Sequence, residues 1–166
     1  CGGWIYDSIM EMPLLKKVIL IGPDEEAFSR VEPEFKEKVE FLSRERLLEM
    51  EETEVSAFVK NQVGEYPLYI SIDKDVLCET DADTNWSQGD MRLSTMLECL
   101  GAVKEKCAER ISRILGVDIC GECDVTEPGN SALNDMANAA LLEFFTSTDV
   151  GEDIEENKNG TTGGNG

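Results

Sequence analysis

Tyr66-Pro67-Leu68-Tyr69-Ile70-Ser71-Ile72-Asp73-Lys74-Asp75-Val76-Leu77 is the stretch on which the fold of this chain turns. An apolar, β-rich run that delivers carboxylates reads as a strand buried on both faces, with its acidic end where ligands bind in parallel α/β sheets. Side chains two apart on a strand point the same way. Carrying the strand through Leu77 therefore puts Asp73 and Asp75 on one face, about 6–7 Å apart, and turns Lys74 to the other. Two like charges at that spacing need a counter-charge. A hard divalent cation supplies it, because carboxylate oxygens are its preferred ligands. The alternative is a solvated strand end with a spare acidic pair.

Upstream, Trp4 to Met12 places Ile5, Ile9 and Met12 at helical spacing, and Pro13 stops the helix. Lys16 to Pro23 reads as a buried strand closed by a turn. The acidic residues 24–38, interrupted by Pro33, read as a loop with one helical turn. Val39 to Leu42 is a short strand. Ser43 caps a helix over Arg44 to Met50, and Thr53 caps a second run that Gly64 ends. Strand, helix, strand in that order gives a parallel sheet with right-handed crossovers.

Downstream, Cys78 to Asp90 is a polar loop in the place where such folds line their sites, so Trp86 and Gln88 are candidates for a site wall. A Trp that pins the loop to the core is the competing reading. Leu93, Met96, Leu97, Leu100, Val103 and Cys107 define an amphipathic helix whose stripe is core. Ile114 to Cys120 is the next buried strand and presents Gly121-Glu122 at its end. Asp118, inside that apolar strand, must accept hydrogen bonds or share the polar crevice of Asp73. Pro128-Gly129-Asn130-Ser131 turns the chain into a last helix carrying Leu133, Met136, Ala137, Ala140, Leu141 and Phe144. Residues 149–166 are acidic, then Gly, Thr and Asn with one Lys, and are expected to be a disordered tail.

At 166 residues the chain supports one domain with a real core. With 15 basic against 35 acidic residues, the formal charge of -20 argues strongly against nucleic acid or an anionic membrane face as partner. No apolar run reaches the roughly 20 residues that span a bilayer, so a cytoplasmic protein is expected. Cys1 in place of Met points to processing or to a missing beginning. The six cysteines are spaced as reduced thiols, and Cys120-Gly121-Glu122-Cys123 is a lone C-x-x-C. The chain contains no histidine, which removes the commonest general base and the commonest transition-metal ligand. Chemistry here rests on carboxylates or on residues outside this sequence.

Ile70-Ser71-Ile72-Asp73-Lys74-Asp75-Val76-Leu77 resembles the hydrophobic-Ser-hydrophobic-Asp-x-Asp signature of the ureohydrolase superfamily, the arginase, agmatinase and formimidoylglutamase group. Leu115-Gly116-Val117-Asp118-Ile119 is similar to that family's second diagnostic strand, which ends in a glutamate. Asn134 to Phe144 sits where the family has its closing helix. The likeness covers roughly residues 64–146, and Cys1 to Trp4 with Val18 to Pro23 look similar to an arginase-like bacterial branch. It implies a three-layer αβα fold with a mainly parallel sheet, of which residues 1–148 are the C-terminal part, incomplete at the N-terminus. It also implies a binuclear Mn²⁺ site in which Asp73 bridges both ions and Asp75 ligates one, hydrolysis of a guanidinium or amidine C–N bond, and Glu122 holding the cationic group of a small guanidino or amidino substrate. A homo-oligomer is left open.

The sequence departs from the family pattern in four ways. Lys74 replaces an apolar residue between the aspartates, the proline after the pair is missing, Gly121 offsets the glutamate by one, and the histidine and Asp-x-His-x-Asp ligands have no counterpart. The chain alone is therefore expected to bind metal weakly and not to turn over. Two rivals stand beside this reading: a haloacid-dehalogenase-type Mg²⁺ phosphatase with Asp73 as nucleophile, and a non-catalytic interaction domain.

Overall fold

The computed structural model describes residues 3–110, 113–123 and 131–147. The expected tail, the turn at Pro128-Gly129-Asn130 and Cys1 lie outside these residues. The elements run α1 (Gly3–Glu11), β1 (Val18–Ile21), α2 (Glu25–Ser29), α3 (Pro33–Lys36), β2 (Val39–Leu42), α4 (Arg44–Glu49), α5 (Glu52–Gln62), β3 (Leu68–Asp73), a 3-10 turn (Lys74–Val76), α6 (Leu93–Arg110), β4 (Ile114–Cys120) and α7 (Ser131–Thr146). The fold is mixed α/β with parallel strand pairing throughout the described residues.

Two parallel pairs carry the architecture. β1 pairs with β2 from Val18↔Val39 to Ile21↔Leu42, and β3 pairs with β4 from Leu68↔Ile114 to Asp73↔Cys120. Parallel neighbours need long crossovers, and these are α2 with α3 for the first pair and α6 for the second. The expected single sheet is not formed: among the described residues the strands make two separate two-stranded sheets. The pairs share side-chain packing instead of a backbone ladder, Ile21 and Leu42 clustering with Leu68 and Ile114. Gly22, at φ 106, lies so close to Val76 that a Cβ there would fall 2.1 Å from Val76 Cγ2.

Helix α6 buries two sides, one in each of two core clusters. Met96 and Leu100 join Ile72, Leu77, Ala137 and Leu141 in one cluster. Cys99, Ala102 and Cys107 face Leu42, Val55 and Val59 in a second. A helix apolar over so wide an arc is a core element between neighbours, which fits the stripe read from the sequence. No described helix is long and apolar enough to cross a membrane.

Local chemistry explains where the chain departs from the sequence reading. Residues 24–38 hold two short helices where a loop with one turn was expected. Asp24 caps the first, its Oδ1 accepting from Ala27 N at 2.6 Å, and Pro33 opens the second at a position where its missing N–H costs nothing. Ser43 caps α4 as expected, accepting from Arg46 N at 3.2 Å. Glu51, not Thr53, caps α5, and its backbone N–H donates to Glu54 Oε2 at 3.0 Å. That helix ends at Gln62 with Val63 as its cap, before Gly64. Glu51 and Glu54 are thus engaged in capping.

The most consequential correction concerns the central strand. It ends at Asp73, and Lys74–Val76 form a 3-10 turn, so Asp75 does not continue the strand alternation. The cause is Asp73 itself. Its Oδ1 accepts from Asp75 N at 3.2 Å and so satisfies the first free donor of the turn, an alternative to a ladder bond that short polar side chains offer the backbone.

Candidate functional site

Parallel pairing of β3 with β4 brings two chain ends to one edge. Along the exposed face Ser71 lies opposite Asp118, and Asp73 opposite Cys120. Asp118 accepts a hydrogen bond from Ser71 Oγ at 3.0 Å, which meets the need of a carboxylate set in an apolar strand. It also hydrogen-bonds Tyr69, and this bond, with burial and the Asp118 charge, pushes the Tyr69 phenol up.

Beyond Asp73 the 3-10 turn sends Lys74 and Asp75 to different surroundings. Lys74 turns inward and is wholly buried, with 0% of its surface exposed. Its ammonium donates to Glu122 Oε1 and, at 2.8 Å, to Asn138 Oδ1 on α7. Asn138 Nδ2 donates back to the same Glu122 Oε1 at 2.8 Å. Burial alone would raise the Glu122 carboxyl, but the bonds from Asn138 and Lys74 and the Lys74 charge outweigh it and hold the group below its ordinary value. Asp75 stays near Asp73. Burial, then the Asp73 charge, push its carboxyl up, and a hydrogen bond with Thr84 only partly offsets them. Among the described residues Asp75 Oδ1 is buried and has no hydrogen-bond partner.

Gly121 makes this arrangement possible. At φ 80 it is in the left-handed region, and a Cβ there would lie 2.6 Å from Lys74 N, 2.7 Å from Asp73 Oδ1 and 2.8 Å from Asp75 N. The insertion that offsets the glutamate is therefore the residue that lets β4 pass against the aspartate turn and carries Glu122 over to Lys74. Gly121→Ala combines a backbone conformation that L residues avoid with a clash against fixed backbone, so a loss of about 2–4 kcal/mol is expected. Denaturant titration of the variant measures it, and a loss below about 0.5 kcal/mol, the range of an ordinary surface change, would contradict the close approach.

The loop 78–90 closes the edge. Cys78 N donates to Met91 O at 2.8 Å and Met91 N to Val76 O at 3.1 Å, which zips the loop's return onto the turn. Gly89 is required there, since a Cβ would fall 2.1 Å from Val76 O. Gln88 holds the loop by donating from Nε2 to Leu77 O at 2.5 Å. Trp86 is 76% exposed and neither walls a described cavity nor pins the loop to the core. A shallow opening of about 510 Å³ lies beside this loop, lined by Arg44, Cys78, Gln88 and Arg92 among others. Its guanidiniums are committed, Arg44 to Asp90 and Arg92 to Asp81.

Three of the sequence candidates, Asp73, Asp75 and Glu122, thus meet at one edge of the β3–β4 pair. Two partners escaped the sequence reading, Lys74 as a buried cation and Asn138. A signal for both existed: a lysine inside an apolar run, and Asn134 and Asn138 one turn apart on the stripe of Ala137 and Leu141, are polar groups that burial obliges to pair. Cys120 and Cys123 are both free thiols. Burial, the Asp73 and Asp118 charges and a hydrogen bond to Asp73 push the Cys120 thiol up, while Cys123 Sγ accepts from Asn134 Nδ2 at 3.5 Å. Among the described residues no three or more His, Cys, Asp or Glu side chains converge to hold a metal ion. Two carboxylates with one orphaned oxygen do fit part of a hard-cation site.

Comparison with known proteins leaves the chain without an assigned family. No family model matches it, and no solved structure matches it. A Thermotoga maritima protein, named only as an uncharacterized protein, is 30% identical over 147 residues. The match takes in 87% of this chain and 50% of that protein, so the chain spans about half the length of the curated relative it matches.

Proposed function

We propose that this chain carries part of a metal-assisted hydrolase centre of the ureohydrolase type, acting on a linear C–N bond of a guanidino or amidino substrate. In this reading the two parallel pairs belong to a larger three-layer αβα domain with a mainly parallel sheet. The observation that carries it is the buried, unpartnered Asp75 Oδ1 held against Asp73 at the carboxyl end of β3. An uncompensated like-charge pair is costly unless a cation is its intended partner. Asp73 and Asp75 would hold Mn²⁺, which when bound lowers the pKa of water and polarises the carbon to be attacked. The chain's own part is to fix the geometry: Asp73 caps the turn that presents Asp75, and Gly121 lets β4 close on it. Asp73 and Asp75 would supply only part of the ligand set of such a centre, so no turnover by these residues alone is expected.

Calorimetric titration with Mn²⁺ tests this. Binding of a single ion with a dissociation constant of roughly 10⁻⁴ M or weaker is expected, in the range of open oxygen-ligand sites, and Asp73→Asn should abolish it. Absence of any binding to the unaltered chain would refute the metal role. Tight binding of two ions would refute the claim that the centre is partial.

A further inference from the structure

Glu122 is the residue that the ureohydrolase resemblance assigns to the substrate's cation, and the structure gives that carboxylate a different occupant. The Lys74 side chain leaves the 3-10 turn inward, has no surface exposed to solvent, and ends on Glu122 Oε1. Asn138 completes the cradle with an acceptor for the ammonium and a donor for the carboxylate, its Oδ1 and Nδ2 each at 2.8 Å. The three groups come from the end of β3, the end of β4 and helix α7, so the cradle is set by tertiary packing.

From this geometry we infer that Glu122 and Asn138 form a cation socket that Lys74 fills from within, so that Glu122 does not anchor the substrate's cationic group. The reasons are steric and electrostatic. A primary ammonium on a buried apolar stem already occupies Oε1. The outer half of Glu122 is in water, 52% of its side chain being exposed. A second cation arriving there meets a carboxylate already neutralised by its neighbour and gains no more than an exposed surface pair does. Gly121, the next position back along the chain, presents bare backbone to Asp73 and cannot carry a substituting carboxylate. On the hydrolase reading proposed above, the substrate is then positioned by groups other than Glu122, and its specificity need not require a cationic group on the β4 side.

The test is made without metal, in EDTA, so that its failure is separable from failure of the Mn²⁺ proposal. In Lys74→Ala the socket is emptied, and n-butylammonium should refill it. Melting of that variant is expected to rise by about 3–5 °C at saturating n-butylammonium, with no rise from tetramethylammonium at the same ionic strength and none in the unaltered protein. Equal shifts with both ions, or in both proteins, would overturn the socket. Should Lys74→Ala not fold, the unaltered chain decides. Agmatine, which carries both an ammonium and a guanidinium, is titrated while the Glu122 carboxylate carbon and the Asn138 side-chain amide are followed by NMR. No saturable shift at millimolar agmatine is expected, and a saturable shift at Glu122 would overturn the inference.

Discussion

Glu122→Ala should lower the melting temperature by about 10 °C, several times the effect of Lys74→Met. Removing Glu122 leaves the buried Lys74 ammonium with Asn138 Oδ1 as its remaining partner; breaking a wholly buried pair from one side costs about 3–5 kcal/mol, and with half of Glu122 in water the cost here is taken at the low end, about 3 kcal/mol. At about 2–4 °C per kcal/mol for a chain of this size, that is the shift stated. Lys74→Met instead replaces the apolar stem by one of similar shape. Glu122, half in water, rehydrates and keeps its bond from Asn138. A loss of about 1 kcal/mol is expected. Scanning calorimetry on both variants checks the asymmetry, and equal losses would mean that the burial of the cation is not what makes the pair costly to break.

Acid should erase part of that difference. The folded carboxyl of Glu122 lies below its ordinary value of 4.5, so its contribution is present above the unfolded value and is lost as pH falls through the folded one. The gap in stability between the unaltered chain and Glu122→Gln should therefore hold above the ordinary value of 4.5 and shrink as pH falls below it through the folded value.

Asp75→Asn carries the opposite sign, and it is expected to raise the stability of the metal-free protein. Burial and the Asp73 charge raise the folded Asp75 carboxyl above its ordinary 3.8. A group shifted that way contributes stability below the unfolded value and loses it as pH rises through the folded one, so at neutral pH the ionised form opposes folding. Neutralising it should raise the melting temperature measured in EDTA at pH 7. The advantage should vanish near pH 3, where both proteins carry a neutral group, and narrow when Mn²⁺ stabilises the unaltered chain alone. A lower melting temperature for Asp75→Asn in EDTA would make Asp75 a structural residue and remove the main support for a cation site.

Both predictions turn on Lys74–Val76, the segment that the strand pattern misread. Alternation along Ile70, Ile72, Lys74 and Val76 reads as one uninterrupted strand, and nothing in that period distinguishes a strand from a strand that ends in a capped turn. The aspartate that ends it is visible in the sequence, yet its capping role depends on where the chain goes next. Gly121 shows the same limit. As a residue in a list it offsets a glutamate by one position, while in space it is the point where β4 passes within contact of the Asp73 turn.

What this sequence determined by itself is the order of strands and helices. Val39–Leu42, Ile114–Cys120 and the Ser43-capped helix stand where their local patterns put them, because periodicity and capping act over a few neighbours. It also placed the acidic groups at strand ends. Tertiary structure alone decided that Lys74 fills Glu122, that Asn138 completes the pair, and that the strands divide into two pairs. Those outcomes join residues 48 and 64 positions apart, and the free energy of a buried charge depends on which partners the packed chain brings to it.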